Sequence, residues 1–425
     1  MHRKRSVPIV AVLAAACLAP SVVVAAPSHA ARSAAANPAV IVDWNAIAAR
    51  TFQENSTSIP VSWLYYGFVS VAVYDAVVAI EGGYEPYAAQ PPASRQASSD
   101  VAAVTAAYRV LSHYFPASAG NLARDYSTSL AGASDGVGLT HGKRVGQAAA
   151  DAIIRLRQND GRNAPVVLDV APAPGVWRPT PNAFAPMLAP WLGFVQPLAL
   201  RSPTQIPLPG PDALGTDAYA RDFAEVKAYG GPEGTSARDA AQTQTALFWN
   251  ANLALQYQMA LRDQVTRRGL DIVTSARAFA LLNAGGADSI IACWRAKYDY
   301  AYWRPITAIR TADTDGNDAT EPDPQWTSHG VAPPYPDYTS GHACVTGAVS
   351  HTFSHLFGAG PLDLDIPSLT SAPSRHYDTA GALDTETMNA RIWLGIHFRK
   401  AMTDGNRLGH QVAAWTIRHQ FGPTD

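Results

Sequence analysis

Three cations lie among apolar and aromatic residues in the last third of the 425-residue sequence. Lys297 and Arg304 are seven residues apart, and on a helix this spacing places both side chains on one face, about 10 Å apart along the axis. They could be snorkelling surface cations. Arg391, however, stands in an apolar segment, where a charge without a partner costs free energy. An oxyanion would supply that partner, and three positive charges match a tetrahedral oxyanion with two or three negative charges.

A second motif, Ser340-Gly341-His342, follows a proline-rich loop and precedes an apolar helical pattern. This order predicts Ser340 near the N-cap of a helix, with free backbone N–H groups at Gly341 and His342, an end that binds anions. With His397 there are two histidines: one can attack or coordinate the central atom, and the other can move protons on the opposite side. Asp404 could orient His397, but we favour an N-cap role in the last helix.

The spacing of Arg391 and His397 constrains the local backbone. On an uninterrupted helix, six residues would place the two side chains about 120° apart. The helix must therefore bend or end near Gly395, or the arginine must reach around it. The sequence leaves both options open.

The pattern of apolar residues predicts the elements that position these groups. Helical periodicity occurs near 41–51, 63–80, 100–114, 142–157, 219–229, 237–268, 276–302, 341–357, 385–398 and 406–421. A long irregular segment covers 172–211, and a loop covers 311–339. We expect an all-α protein, a large helical bundle with long loops. Residues 31–425 would form a single domain, with an N-terminal helical part at about 41–270 and a C-terminal anion-site part at about 271–421.

Composition and the N-terminus narrow the class of protein. The content of 47% hydrophobic and 16% charged residues excludes global disorder, and a net charge of -2 argues against a nucleic-acid partner. Residues 1–30 are typical of a secretory signal peptide cleaved after Ala30, with a membrane anchor as the alternative. We therefore expect a secreted protein without stable membrane association; a homo-oligomer is compatible with the sequence. Cys293 and Cys344 could form one disulfide or remain buried thiols.

The order Lys-x6-Arg-Pro, Ser-Gly-His and Arg-x5-His resembles the vanadium-dependent haloperoxidases. That family shares its fold and anion pocket with type-2 phosphatidic acid phosphatases and bacterial class A acid phosphatases. Tyr74-Asp75-Ala76 and the segment 294–310 are similar to the secreted bacterial branch of the family.

The resemblance implies a vanadate cofactor, with hydrogen peroxide, halide and a small organic acceptor as reactants. It implies that His397 is the axial ligand of the vanadium and that His342 is the acid–base residue. Residues implied in binding the oxyanion are Lys297, Arg304, Ser340, Gly341 and Arg391. Lys297 would also polarise the bound peroxide, which a halide would attack to give hypohalous acid. Trp294 matches a tryptophan of the halide pocket.

Two other functions stay open beside this one. In a secreted acid phosphatase on the same scaffold, phosphate would occupy the pocket, His397 would attack phosphorus and His342 would protonate the leaving group. Ala401 stands where phosphatases carry an aspartate that orients the nucleophile, which favours the haloperoxidase, and Thr339 replaces the usual proline before Ser-Gly-His. The third option is a non-catalytic anion-binding protein.

Three further signals have plain explanations. His351 and His355 have the spacing of a metal pair but lack the glutamate of a zinc motif, so we interpret them as core or surface histidines. The segment 313–318 resembles a calcium loop without its glycine and final glutamate, and we interpret it as a polar turn. Asp288 could pair with a cation of the site or make a local polar contact.

Overall fold

The computed structural model describes residues 36–133, 136–181, 183–358, 361–370 and 372–424. The predicted signal peptide at 1–30 lies outside these residues. The described part contains thirteen α-helices and one two-stranded antiparallel sheet. The helices are α1 (Ala39–Glu54), α2 (Ile59–Glu81), α3 (Ser99–Tyr114), α4 (Ala119–Leu130), α5 (Val137–Leu156), α6 (Asp217–Tyr229), α7 (Ala240–Phe248), α8 (Leu253–Arg267), α9 (Ile272–Tyr300), α10 (Pro305–Arg310), α11 (Gly341–Phe357), α12 (Ala380–Trp393) and α13 (Arg399–His419), and the strands are β1 (Leu364–Ile366) and β2 (Arg375–Tyr377). The predicted all-α class is confirmed.

Helices α2 and α9 pack along each other at the centre of the main hydrophobic core. Both are rich in alanine and other small or aliphatic residues, which lets two helix backbones approach closely. By length and composition α2 could span a membrane, but 83% of its most apolar window is buried inside the protein. Its apolar character is therefore accounted for by its place in the core.

Each of these two helices carries one buried carboxylate that holds a loop. Asp75 of α2 accepts hydrogen bonds from the backbone N–H groups of Tyr87 and Ala88. Asp288 of α9 accepts from the N–H groups of residues 198, 199 and 200. Backbone groups of irregular segments need such partners when they are buried, so Asp288 makes a local contact and does not pair with a cation of the site.

Helices α11 and α13 pack so closely that a side chain is excluded at the contact. A Cβ at Gly409 of α13 would overlap the carbonyl of Cys344 on α11. This contact fixes α11, which follows its N-cap Ser340, against α13, which follows His397, and so joins two of the predicted motifs.

Several predicted boundaries are wrong. The predicted helix at 237–268 is two helices, α7 and α8, because the chain breaks after Phe248 and restarts with Asn252 as an N-cap. Helix α13 begins at Arg399, seven residues before the predicted start, so Asp404 lies inside the helix and is not its N-cap. Helix α4 and the β1–β2 hairpin have no counterpart in the prediction.

Candidate active site

Lys297 and Arg304 flank the junction between α9 and α10. Lys297 lies in the last turn of α9, and Arg304 is the N-cap of α10, where Pro305 fits the first helical position. Both side chains are fully buried. Lys297 Nζ donates to the backbone oxygens of Pro336 and Asp337, at 2.7 and 3.1 Å. The loop before α11 therefore holds the lysine through carbonyls.

The ring of Tyr335 contacts both cations. The Lys297 Nζ and the Arg304 guanidinium carbon each lie 4.9 Å from its centroid. Arg304 Nε also donates to the Tyr335 carbonyl at 2.8 Å. An aromatic face stabilises cations that burial has stripped of water, so this tyrosine supports two positive charges without neutralising them.

Ser340 is the N-cap of α11, as predicted, but its side chain does not cap the helix. Its Oγ is buried without a hydrogen-bond partner among the described residues. The N–H groups of Gly341 and His342 belong to the first turn, where no intrahelical acceptor exists. A Cβ at Gly341 would press on the ring of Trp294. This helix end therefore presents a hydroxyl and backbone donors, with the ring of Trp294 close against Gly341.

The chain between Arg391 and His397 leaves the helix, which decides between the two options left by the sequence. Helix α12 ends at Trp393, and Gly395 follows with φ of 74°, a conformation that favours glycine. A Cβ at Gly395 would also overlap the carbonyl of Gly230. The turn releases His397 from the helical register, so that the ring can face the site together with Arg391.

His397 is buried and held from two sides. Its Nδ1 lies 2.7 Å from Asp337 Oδ1, and its Nε2 lies 3.1 Å from Arg304 Nη1. This arrangement assigns the proton to Nδ1 and the lone pair to Nε2. Burial, together with Arg304 and Lys297, holds the pKa of His397 well below its usual value. The ring is therefore neutral at neutral pH and has a free electron pair on the side of the cations.

Sequence analysis missed Asp337, which lies in the loop that ends at Ser340. Burial raises the pKa of Asp337 to about 7, and Arg304 and Lys297 oppose this rise. The signal was present in the sequence as a lone acid three residues before Ser340. Only the loop conformation shows that it contacts His397.

His342 lies on the more open side of the site. It is partly exposed, whereas His397 is 1% exposed. Burial and the positive charge of Arg391 hold the pKa of His342 well below its usual value, and a hydrogen bond to the Trp249 backbone opposes them. The Trp249 carbonyl also accepts from Arg391 Nη1 at 2.9 Å. Sequence analysis could not have found this contact, since a backbone group carries it.

The site fits a tetrahedral oxyanion such as vanadate. Five side-chain atoms of the site are buried and have no partner within the described ranges: Arg304 Nη2, Asp337 Oδ2, Ser340 Oγ, His342 Nε2 and Arg391 Nε. Unpartnered buried polar atoms of this kind require an explanation, and an ion is a common one. Three buried cations face one buried carboxylate, Asp337, so the site carries excess positive charge that an oxyanion would neutralise.

Comparison with known proteins finds relatives over the part of the chain that carries this site. Residues 277–422, which contain all three motifs, match the family model of the VCPO second helical-bundle domain. The vanadium chloroperoxidase of Curvularia inaequalis is 27% identical in a match that covers 29% of this chain and 27% of that protein. The match thus spans about a quarter of the length of the curated relative.

Three solved bacterial structures share the fold over most of the chain. A structure described as the first bacterial vanadium-dependent iodoperoxidase superposes with a TM-score of 0.78 at 23% identity, over 91% of this chain and 98% of that one. Apo and holo forms of a bacterial vanadium-dependent chloroperoxidase both give TM-scores of 0.66, at 17% and 18% identity, over 85% of this chain and 93% and 92% of theirs. The predicted resemblance to the vanadium-dependent haloperoxidases is confirmed.

In this haloperoxidase fold, three features weighed in the sequence analysis make contacts with other parts of the chain than the anion site. Asp404 accepts from Tyr338 Oη and pairs with Arg407, so it does not orient His397. His351 contacts His410 on α13, and the described residues contain no cluster of three or more metal-ligating side chains. In the haloperoxidase fold Asp315 accepts from Thr320, consistent with a polar turn at 313–318.

Cys293 and Cys344 are both buried and free. The hydroxyl of Thr339 lies 3.4 Å from the sulfur of Cys293 and 3.3 Å from that of Cys344. Of the two states left open by the sequence, the structure shows two thiols joined through one hydroxyl.

Proposed function

We propose that this protein is a vanadate-dependent haloperoxidase that uses hydrogen peroxide to oxidise a halide to a hypohalous species. One observation carries the proposal. Three buried cations lie together with a closed-side histidine, His397, and an open-side histidine, His342. The two rings have different surroundings, which is how two histidines of one site acquire different roles.

The residues that would hold vanadate are those with unpartnered donor atoms. Arg304, Arg391 and Ser340 offer donors, Lys297 adds a positive charge, and the first turn of α11 adds backbone N–H groups. His397 Nε2 would be the metal ligand, in competition with its present contact to Arg304. When bound, vanadate supplies a Lewis acid that activates peroxide toward the halide.

The protein's own contribution is orientation and proton transfer. Asp337 accepts the Nδ1 proton of His397 and thereby keeps the electron pair on Nε2, the role that carboxylates have behind metal-binding histidines. His342 is neutral at neutral pH with an unpartnered Nε2. It can accept a proton from a group that enters at the open side and return it later.

One argument against the phosphatase alternative does not hold in the structure. Ala401 does not leave His397 without an orienting carboxylate, because Asp337 supplies one from another segment. The preference for a haloperoxidase therefore rests on the comparisons, which do not favour a phosphatase.

We further propose that the protein is exported with removal of residues 1–30. The support is the basic start and the apolar run in the sequence. Expression in a secreting host, followed by N-terminal sequencing, should give a chain that begins at Ala31. An intact N-terminus in the cell-associated protein would contradict export.

The function is tested on protein freed of phosphate. Peroxide-driven bromide oxidation should require added orthovanadate, and hydrolysis of an aryl phosphate should be negligible. Aryl phosphate hydrolysis that orthovanadate inhibits would instead identify a phosphatase. Binding of orthovanadate without either activity would indicate an anion-binding protein.

A further inference from the structure

A group of histidines lies outside the anion site, where α11, α12 and α13 meet. His351 and His355 are one turn apart on α11, and His410 of α13 faces His351. The Nδ1 atoms of His351 and His410 are 3.4 Å apart, and the two rings are inclined at 86°. The sequence shows only the pair on α11, and the fold adds a histidine that lies 59 residues further along the chain.

The distance between the two nitrogens fits a shared metal ion. In tetrahedral zinc sites each histidine nitrogen lies about 2.0–2.1 Å from the metal, which places two such nitrogens about 3.3–3.4 Å apart. A hydrogen bond between the rings of His351 and His410 is the alternative. At 3.4 Å the two atoms are further apart than the usual range for such a bond.

Asp384 of α12 prepares His410 as a ligand. Its Oδ2 lies 2.7 Å from His410 Nε2, and its Oδ1 accepts a hydrogen bond from Ser350 Oγ at 2.8 Å. Because an ionised carboxylate only accepts, the ring proton is on Nε2 and the electron pair is on Nδ1, the atom that faces His351. A carboxylate that accepts the other N–H is the usual arrangement behind a metal-binding histidine.

His351 is also in the form that binds a metal. Burial holds its pKa below the usual value, and the charges of His410, His355 and Arg418 lower it further, against the opposing charge of Asp384. The ring is therefore neutral at neutral pH and has an electron pair to offer.

Solvent reaches this pair of rings. The side chain of His410 is 31% exposed, and His355 is exposed. Across the described residues no three metal-ligating side chains are already assembled. Two histidines are thus fixed in place, and water or a rotated His355 can complete the coordination shell.

We propose that His351 and His410 bind a divalent transition-metal ion such as zinc, with Asp384 as the positioning residue behind His410. Imidazole ligands suit zinc, copper and nickel, whereas calcium and magnesium prefer oxygen. His351 lies nine residues after His342, about 13–14 Å along α11, so this site is separate from the anion site. The proposal does not depend on the haloperoxidase function. The bound ion would join α11 to α13.

Zinc binding is measured by calorimetry on the full-length protein without a histidine tag, in buffer free of phosphate and orthovanadate. We expect one saturable zinc site in the wild type. Binding should be at least about tenfold weaker in His351→Ala and in His410→Ala, and about 10- to 100-fold weaker in Asp384→Asn. If an alanine variant fails to fold, His351→Gln and His410→Gln repeat the test with polar side chains.

Two other histidines provide the controls. His419 lies on the same helix as His410 but stacks on Trp415, so His419→Ala should bind zinc like the wild type. His376 lies between Asp365 and Asp378 and is the rival site for a cation. His376→Ala should also keep zinc binding, and its loss in that variant alone would overturn the proposal.

Cobalt gives a second measurement that reports the ligand geometry. With Co²⁺ in place of zinc, the wild type should show the strong visible absorption of a four-coordinate ion, and His410→Ala should not. Absence of saturable zinc binding to the wild type, or equal zinc affinity in the wild type, His351→Ala and His410→Ala, would overturn the site. Neither measurement uses peroxide, halide or orthovanadate, so failure of the proposed function would leave both results unchanged.

Discussion

Asp337 Oδ1 lies 2.7 Å from His397 Nδ1, and this contact joins the loop before α11 to the segment after α12. The carboxylate fixes which ring nitrogen carries the proton and turns Nε2 toward the cations. It also places a negative charge close to the site that would receive an oxyanion. These two effects have opposite consequences for binding, so they can be separated.

The Asp337→Asn variant separates them. Orthovanadate needs a bond to Nε2, and loss of a partner behind a metal-binding histidine typically costs about 10- to 100-fold in affinity. Inorganic phosphate is held by charge and hydrogen bonds, so removing a negative charge should leave its affinity equal or higher. Calorimetric titration of both oxyanions measures the difference. A parallel loss of both would mean that Asp337 only maintains the structure.

Substitution of His397 and of His342 should change orthovanadate binding and turnover in different ways. His397→Ala removes the ligand on the closed side and should abolish orthovanadate binding. His342→Ala removes a proton acceptor on the open side and should retain binding within a few-fold, while kcat for bromide oxidation falls by about 10²- to 10⁴-fold. Equilibrium binding and steady-state kinetics on the same preparations give both numbers. Equal loss of orthovanadate binding in the two variants would contradict these roles.

The place of the three cations and of Ser340 in the site was predictable because the sequence sets charged and hydroxyl side chains at fixed spacings near helix ends. For the chain between Arg391 and His397 the sequence left two options. Helical geometry alone showed that the two side chains could not share a face of an uninterrupted helix. Asp337 was missed because its contact depends on how a proline-rich loop folds. No periodicity describes such a loop.

A chamber of about 260 Å³ that opens in front of the anion site shows a second limit of sequence analysis. Trp63 and Leu253 line this chamber, but they lie far from the motifs in sequence and reach them only through the packing of α2 and α8 against the core. An apolar residue type alone does not distinguish a wall of the chamber from the core. Likewise, the sequence points to Asp404 or the position of Ala401 for a carboxylate behind His397, whereas the fold supplies it from Asp337 in another segment.

The affinity for oxyanions should fall above about pH 8. Burial lowers the pKa of Lys297 to about 8; the positive charge of Arg304 also lowers it, and the carboxylate of Asp337 opposes both. Because the lysine is charged only below its pKa, its attraction for an anion is fully present well below pH 8 and is lost as the pH rises through that value. Calorimetric titration of inorganic phosphate between pH 7 and 9.5 should show this loss.

The variant Lys297→Arg provides the control for that pH dependence. An arginine keeps its charge throughout this range, so phosphate affinity should change much less with pH. A wild-type affinity that stays constant up to pH 9.5 would show that Lys297 remains charged, or that it does not contribute to anion binding.

Asp288 should matter for stability and not for anion binding. Its carboxylate accepts three backbone N–H bonds, at 2.6, 2.7 and 2.7 Å, from residues 198–200. In Asp288→Asn the amide nitrogen would face at least one of these donors, and a buried donor without an acceptor costs about 1–3 kcal/mol. The free energy of unfolding, measured by chemical denaturation, should fall by about that amount.

The matched control lies on the same helix. Asp299 pairs with Arg295 one turn away at 2.8 Å, but its side chain is 37% exposed. Asp299→Asn should therefore change the free energy of unfolding by less than about 1 kcal/mol. Phosphate affinity should be unchanged in both variants, because neither carboxylate contacts the site. Similar stability losses in the two would show that the loop at 198–200 does not depend on Asp288, and that its backbone donors find another acceptor.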